Sequence, residues 1–167
     1  MRLRRAQVAD AEAIAGIAVR TWWHSHTAFV SPEALAGRTV ENLAPRWVGR
    51  IQEQRREIWV AEAEGRVVGY AAISESTDRD ATPLTGSLDA LYVDPPAQGA
   101  GLGTRLLGHA EGRLRDRGSV RATLWVFAEN GQARGFYEDR GWVLDAAGPG
   151  NEPQRWDEPA ARYRLEL

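Results

Sequence analysis

The chain has 167 residues, of which 43% are apolar and 26% are charged, a size and balance typical of one globular domain. Its formal net charge of -2 argues against a nucleic-acid partner, because nucleic-acid-binding domains carry a basic surface. The absence of cysteine excludes disulfides, thiolate metal sites and a cysteine nucleophile.

In chain order, the first half predicts a strand and then helices. Arg2–Val8 alternates weakly and indicates an edge strand, after which Asp10 can cap a helix over Ala11–Val19. Pro32 begins a short helix, and a second helical period covers about Val40–Gln54. No stretch in this half is long and apolar enough to predict a membrane span.

The second half predicts six strands and two helices. They are strands Ile58–Ala63 and Arg66–Ile73, joined by a hairpin at Glu64-Gly65, strand Ser87–Val93, helix Gly101–Arg117, strand Ala122–Phe127, helix Gln132–Asp139, and strands Trp142–Leu144 and Arg162–Leu167. We therefore expect an α/β (α+β) fold in a single domain over residues 1–167, with a mixed sheet of about seven strands and about four helices. We expect the loop Ala146–Pro159 to be mobile.

The most informative segment is the turn between the strand that ends at Val93 and the helix that begins near Thr104. It contains Gln98-Gly99-Ala100-Gly101-Leu102-Gly103. Glycines allow the backbone to turn with its N–H groups unshielded, and the following helix adds unpaired N–H groups and the positive end of its dipole. Each favourable charge contact there contributes on the order of 0.3 to 2 kcal/mol, so the segment predicts a site for an anion such as a pyrophosphate.

The glycine spacing alone leaves other interpretations open. A P-loop requires a lysine after the glycines, whereas Gly103-Thr104-Arg105 has none. A dinucleotide-binding fingerprint requires a third glycine where Thr104 stands. A flexible loop that merely precedes a helix requires neither the lysine nor the third glycine, so this interpretation also stays open.

Two motifs together resemble the GNAT superfamily of N-acetyltransferases. The first is Leu91-Tyr92-Val93-Asp94-Pro95 followed by Gln98-x-x-Gly101-x-Gly103 and a leucine-rich helix. The second is Asn130-Gly131-Gln132-Ala133-Arg134-Gly135-Phe136-Tyr137-Glu138-Asp139-Arg140-Gly141-Trp142. The order of the predicted elements also matches, so the resemblance covers nearly the whole chain and implies a GNAT fold with splayed parallel strands at the cofactor site.

The resemblance implies acetyl-CoA as co-substrate, with no metal. The residues that would contact it are the strand residues Leu91, Tyr92 and Val93, the turn residues Gln98, Gly99, Ala100, Gly101, Leu102, Gly103 and Thr104, and then Asn130 and Phe136. Two of these residues also have structural interpretations, since Asn130 can cap a helix and Phe136 can pack in the core. Arg105 could add a positive charge near the phosphates or be a solvated helix residue.

The resemblance makes Tyr137 the candidate general acid. Collapse of the tetrahedral intermediate expels a thiolate, and a phenol with pKa near 10 can protonate a sulfur whose thiol has pKa near 8.5. A tyrosine buried in a helix with its hydroxyl tied to the backbone is the alternative. The oxyanion would accept a hydrogen bond from a backbone N–H at the end of the strand, first of all that of Val93.

The residue at the expected position of the general base differs from that in part of the family. In members that use a strand glutamate, counting back from Val93 leads to Ser87, which is too weak a base. Asp89, two residues on and so on the same strand face, is the nearest replacement, unless it serves a structural hydrogen bond. His24 and His26, after the first helix, could act through water or simply face solvent.

The acceptor amine is expected between the first helices, the loop before strand Ser87–Val93 and the end of the chain. The candidate lining residues are Trp22, Trp23, His24, His26, Phe29, Glu33, Glu75, Asp78 and Trp156. Aromatic and acidic groups suit a cationic amine. Trp22 and Trp23 could instead lie half in the core.

We therefore predict a cytoplasmic enzyme that moves an acetyl group from acetyl-CoA to a primary amine, either a small molecule or a protein N-terminus, with no membrane partner and with a homodimer as a possible state. The alternatives are a catalytically weak acyl-CoA-binding module or sensor, which Ser87 favours, and a nucleotide-binding oxidoreductase, which the glycine spacing disfavours.

Overall fold

In the computed structural model of this protein, residues 1–28, 30–53, 55–145 and 159–167 are described, and they form seven strands and five α-helices. The elements are β1 (Arg2–Arg5), α1 (Ala11–Ser25), α2 (Pro32–Ala36), α3 (Val40–Gln52), β2 (Glu57–Ala63), β3 (Arg66–Glu75), β4 (Thr85–Val93), α4 (Leu102–Asp116), β5 (Arg121–Phe127), α5 (Gly131–Glu138), β6 (Val143–Leu144) and β7 (Ala160–Glu166). The expectation of a mobile loop concerns residues that, Pro159 apart, lie outside the described ranges.

The strands form one mixed sheet in the order β1-β2-β3-β4-β5-β7-β6, counted over the described residues. β2 pairs antiparallel with β1 and β3, and β7 pairs antiparallel with β5 and β6. β4 and β5 pair in parallel, with Thr85–Leu88 in register with Arg121–Leu124. Helix α4 connects these two strands, so the predicted mixed sheet with a parallel step is confirmed. The expected splay of β4 and β5 stays a prediction.

The hairpin between β2 and β3 is confirmed at the predicted pair. Glu64 and Gly65 have φ of 52° and 74°, and positive φ at both central residues is what a type I′ turn requires. This turn matches the right-handed twist of its strands. It therefore fixes the register in which Ala63 pairs with Arg66.

Helix α1 extends further than the sequence indicated. We expected it to end at Val19, whereas it continues to Ser25 and carries Trp22 and His24. Aromatic and β-branched residues in this part have modest helix propensity, which is why the local pattern failed. Trp22 is 8% exposed and its indole N–H donates to the Tyr92 hydroxyl at 3.1 Å, so tertiary contacts outweigh propensity.

The chain divides into two compact units. The first unit comprises Met1–Ile73 and Ala90–Ala110, and its core includes Ile14, Ile17 and Val60. The second comprises Ser74–Asp89 and Glu111–Leu167, where Leu114, Leu124, Trp142 and Tyr163 are among the fully buried side chains. Each large apolar side chain buried in this way contributes roughly 1.5 to 3 kcal/mol. The single domain over residues 1–167 stays a prediction.

Candidate active site

The turn between β4 and α4 has the backbone that its glycines predicted. Gly99 and Gly101 have φ of 82° and 74°, in the left-handed region that favours glycine. A Cβ at either position would meet no atom within 4 Å, so the conformation, not crowding, requires glycine there. The first helical bond of α4 runs from the N–H of Arg105 to the carbonyl of Gly101 at 3.2 Å. The N–H groups that precede that bond lie at the positive end of the helix dipole, where anions are favoured.

Two side-chain contacts stabilise the beginning of this turn. Arg20 of α1 donates to both carboxylate oxygens of Asp94 at 2.8 Å each. Gln98 donates its side-chain amide to the Val93 carbonyl oxygen at 3.0 Å, and its backbone N–H donates to the Pro95 carbonyl oxygen at 3.2 Å. Both the side chain and the backbone N–H of Gln98 are therefore hydrogen-bonded within the turn itself. Contact between Gln98 and a pyrophosphate stays a prediction. The Arg20–Asp94 ion pair was not predicted, since the two residues are far apart in the sequence.

The end of β4 presents Leu91, Tyr92 and Val93, all half-buried. The ring of Tyr92 stacks on that of Tyr70, with centroids 5.3 Å apart, and its hydroxyl oxygen accepts the indole N–H of Trp22. Because neighbouring strand residues point to opposite faces, Leu91 and Val93 lie on the face away from this cluster. The side chain of Tyr92 thus packs against α1, which leaves its backbone as the part that can meet a cofactor.

The two candidate positions for a base lie in the second unit and contact each other. Ser87 donates its hydroxyl proton to Oδ1 of Asp89 at 2.7 Å. Both residues belong to β4, both are half-buried, and they share one face of the strand, as their spacing predicted. The carboxylate of Asp89 thus accepts a hydrogen bond within its own strand, and its role as a base stays a prediction.

Helix α5 carries the second predicted motif. Asn130 is its N-cap, with Oδ1 accepting the backbone N–H of Ala133 at 3.0 Å, so the structural interpretation of this residue holds. Tyr137 is 9% exposed, and its ring lies 6.1 Å from that of Trp142. Phe136 is less buried than Tyr137 and has the Arg140 guanidinium 3.9 Å above its ring. The contacts of these three residues with a cofactor stay predictions.

A partly buried network fixes α5 to β7 within the second unit. The Tyr163 hydroxyl donates to the carboxylate of Glu138, and Arg134 donates to that hydroxyl at 2.9 Å. Arg134 also donates to the carbonyl oxygen of Ala128 at 2.9 Å, while burial raises the pKa of Tyr163. Sequence analysis did not find this network, although a tyrosine in an otherwise alternating terminal strand is a signal that could have suggested it.

His24 and His26 differ in their exposure to solvent. His24 lies in the last turn of α1 and is exposed, rather than in a loop after the helix. His26 is 6% exposed and stacks on Trp22 with ring centroids 4.5 Å apart. Burial lowers the pKa of His26 to about 4, so it is neutral at pH 7 and a weak proton acceptor. Of the two, only His24 keeps the exposure that a water-relayed base needs.

The acidic residues expected around the acceptor are dispersed. Asp78 lies in the second unit, where it accepts hydrogen bonds from Trp125 at 2.9 Å and Thr123 at 3.1 Å and lies 3.3 Å from Arg162. Arg162 is 2% exposed and also binds Asp80 and Asp145, at 2.6 Å and 2.8 Å. Asp78 is therefore committed to a buried ion-pair network.

The other predicted acceptor residues have separate positions. Trp22 belongs to the core of the first unit and Trp23 is 49% exposed. Glu33, in the first turn of α2, and Glu75, at the end of β3, are exposed. Phe29 and Trp156 lie outside the described residues.

Two further properties concern the described residues alone. No helix among them is long and apolar enough to cross a membrane. No group of three or more His, Asp or Glu side chains in the same ranges is placed to bind one metal ion.

The chain is similar to known acetyltransferases. Residues 21–142 match the model of the acetyltransferase (GNAT) family. An uncharacterized N-acetyltransferase of Mycobacterium tuberculosis (strain ATCC 25618 / H37Rv) is 31% identical over 137 residues, which is 81% of this chain and 85% of that protein.

Two solved structures share the fold. The PaiA N-acetyltransferase of Thermoplasma acidophilum in complex with coenzyme A has a TM-score of 0.77 at 18% identity, covering 99% of this chain and 98% of its own. YncA of Salmonella typhimurium with acetyl-CoA has a TM-score of 0.74 at 24% identity, covering 100% and 94%.

Proposed function

The chain belongs to the acetyltransferase (GNAT) family and is an acyl-transferring enzyme, and we propose that it moves the acetyl group of acetyl-CoA to a primary amine. The observation that carries the choice of donor is the turn before α4, where left-handed Gly99 and Gly101 lead into the N-terminus of a helix. Such a turn suits a diphosphate. Related folds have been solved with coenzyme A and with acetyl-CoA.

The proposed reaction is direct attack within a ternary complex. The amine nitrogen bonds to the thioester carbon, a backbone N–H at the end of β4, first that of Val93, stabilises the oxyanion, and the carbon–sulfur bond then breaks. Tyr137 donates its phenolic proton to the departing thiolate. The burial of the Tyr137 ring and its packing near Trp142 support this role, because they limit the motion of the hydroxyl.

The proton of the amine passes to a base, for which we propose Asp89, with His24 as a water-relayed alternative. An alkyl ammonium with pKa near 10.4 costs roughly 4 to 5 kcal/mol to deprotonate at pH 7, whereas an α-amino group near 7.8 costs only about 1 kcal/mol. A carboxylate held by Ser87 at 2.7 Å supports proton removal without a strand glutamate. The acceptor can then be a small-molecule amine or a protein N-terminal amine.

The test combines binding with turnover. Calorimetry with acetyl-CoA should give saturable heat, and a thiol-release assay with a panel of alkylamines, α-amino acids and peptides should identify at least one acceptor. The proposal fails if acetyl-CoA gives no heat with the folded protein.

The competing function is an acyl-CoA-binding module with little chemistry. Ser87 at the position of the strand glutamate is the one feature that favours it. Acetyl-CoA binding without release of CoA for any amine would support the module against the enzyme. The cytoplasmic location and the homodimer stay predictions.

A further inference from the structure

A group of hydrogen-bond donors lies around Arg38 in the first unit. Arg38 stands between α2 and α3 and is half-buried. Its guanidinium carbon lies 3.2 Å from the centroid of the Trp22 ring. The backbone N–H of Arg38 donates to the Leu35 carbonyl oxygen at 2.9 Å, whereas its guanidinium forms no hydrogen bond or ion pair within the ranges that the structure describes. Stacking of this kind covers the face of a guanidinium and leaves the N–H groups on its edge available.

The charges around Arg38 do not compensate its own. Burial lowers the pKa of Arg38, and Arg46 and Arg50 lower it further, while Tyr92 and Tyr70 act in the opposite direction. Arg46 is exposed, and Arg50 lies 4.8 Å above the ring of Trp47. A half-buried positive charge among other positive charges is stabilised when an anion joins it.

Two phenolic hydroxyls accompany these arginines. The Tyr92 oxygen accepts the Trp22 N–H at 3.1 Å, so its own proton is directed elsewhere. The Tyr70 side chain is fully buried, and its hydroxyl has no hydrogen-bond partner in the described part of the chain. Leaving such a group unpaired costs about 1 to 3 kcal/mol. Within the described ranges, the Arg38 guanidinium and the Tyr70 hydroxyl are therefore donors with no acceptor, and the Tyr92 hydroxyl still has a proton to donate.

We propose that Arg38, stacked on Trp22 and accompanied by the Tyr92 hydroxyl, binds a carboxylate of the acceptor, so that the enzyme acts on amines that also carry an acid group. This deepens the proposed function and rests on it for the role of the bound molecule as acceptor. This proposal is the opposite of the sequence-based expectation, in which acidic side chains of the protein surround a cationic amine. Trp22, which sequence analysis assigned to the acceptor pocket, carries the recognising cation on its ring.

The test uses amine pairs that differ in one group only. The pairs are 4-aminobutyrate with 4-aminobutanamide, and 4-(aminomethyl)benzoate with 4-(aminomethyl)benzamide. In each, the amine is separated from the changed group, so its reactivity changes little. Calorimetry on the full chain should show tighter binding of the carboxylate by about tenfold or more in at least one pair, the effect of a hydrogen bond to a charged group. Equal affinities in both pairs, or no heat with either carboxylate, would overturn the proposal.

Variants locate the effect. Arg38→Gln should abolish the preference for the carboxylate, Arg38→Lys should retain part of it, and both should bind the carboxamides like the wild type. Arg66→Gln is the matched control, because Arg66 is 80% exposed and its loss removes the same charge from the same unit. A preference that survives in Arg38→Gln, with its melting temperature unchanged, contradicts the assignment.

Turnover separates this inference from the proposed function. With saturating acetyl-CoA, Arg38→Gln should raise KM for the carboxylate amine about tenfold or more and change kcat less than threefold. Turnover with no carboxylate preference would overturn this inference alone. A carboxylate preference in calorimetry without acetyl-CoA binding would overturn the proposed function and leave the anion site in place.

Discussion

Ser87 donates its hydroxyl to the carboxylate of Asp89 at 2.7 Å, and the two residues occupy one face of β4. By the resemblance to the family, Ser87 stands at the position that is a glutamate in some members. Asp89 is the acid two residues further along. A serine there cannot accept the proton of an ammonium ion, but it can orient the carboxylate that we propose as the acceptor.

Asp89→Asn should lower kcat/KM for an alkylamine at pH 7 by about 10² to 10⁴, the usual contribution of a general base. The defect should shrink as pH approaches 10, because the free amine then needs no base. Ser87→Ala is the matched control, since it removes only the orienting hydroxyl, and its loss should be less than tenfold. A pH–rate profile of the three proteins checks this. A deficit in Asp89→Asn that is constant from pH 7 to 10 would exclude Asp89 as the base.

Tyr137→Phe should lower kcat by about 10² or more and leave the Kd for acetyl-CoA within twofold. The phenyl ring keeps the packing near Trp142 and Phe136, so the melting temperature should hold. Single-turnover kinetics with a fixed amine measure the effect. If kcat stays within twofold of the wild type, the leaving thiolate takes its proton from another source.

Gly101→Ala should weaken acetyl-CoA binding without a steric clash. At φ of 74° an alanine costs roughly 1 to 2 kcal/mol, although its Cβ would stand in open space. We expect Kd to rise by about 5- to 30-fold.

Gly108→Ala is the comparison for that change. Gly108 lies within α4, and a Cβ there also meets nothing within 4 Å, so the helix should gain about 1 kcal/mol with no change in Kd. Calorimetry and thermal unfolding of both variants check the pair. Equal Kd values for Gly101→Ala and the wild type would show that the conformation of the turn does not determine the affinity for acetyl-CoA.

His26 should make stability depend on pH in one direction. Burial, with a smaller contribution from Arg38, lowers its pKa from 6.5 to about 4 in the folded protein. Between those values the unfolded chain binds more protons, so the free energy of unfolding should fall as pH drops from 6.5 to 4, by on the order of 3 kcal/mol.

His26→Phe should keep the stacking on Trp22 and remove this part of the pH dependence. Urea unfolding of both proteins at pH 4.5, 5.5 and 7 provides the measurement. Parallel curves for the two proteins would show that another group titrates in this range.

The sequence by itself determined the parts of this protein that depend on local chemistry. The hairpin at Glu64-Gly65 and the turn at Gly99 and Gly101 were predicted because positive φ favours glycine and needs no distant partner. The parallel step around α4 followed from the order of strand, helix and strand. The motifs containing Gln98 and Tyr137 were sufficient to indicate the family that the comparisons confirm.

Only the tertiary structure decided which side chains are available for function. The continuation of α1 to Ser25, the burial of His26 and the commitment of Asp78 to Arg162 all depend on residues distant in sequence. Arg38 shows the same dependence, since nothing near it in the chain indicates that Trp22 will cover its guanidinium. Charge and burial are properties of a residue's neighbours in space, and the periodicity of a sequence reports only its neighbours along the chain.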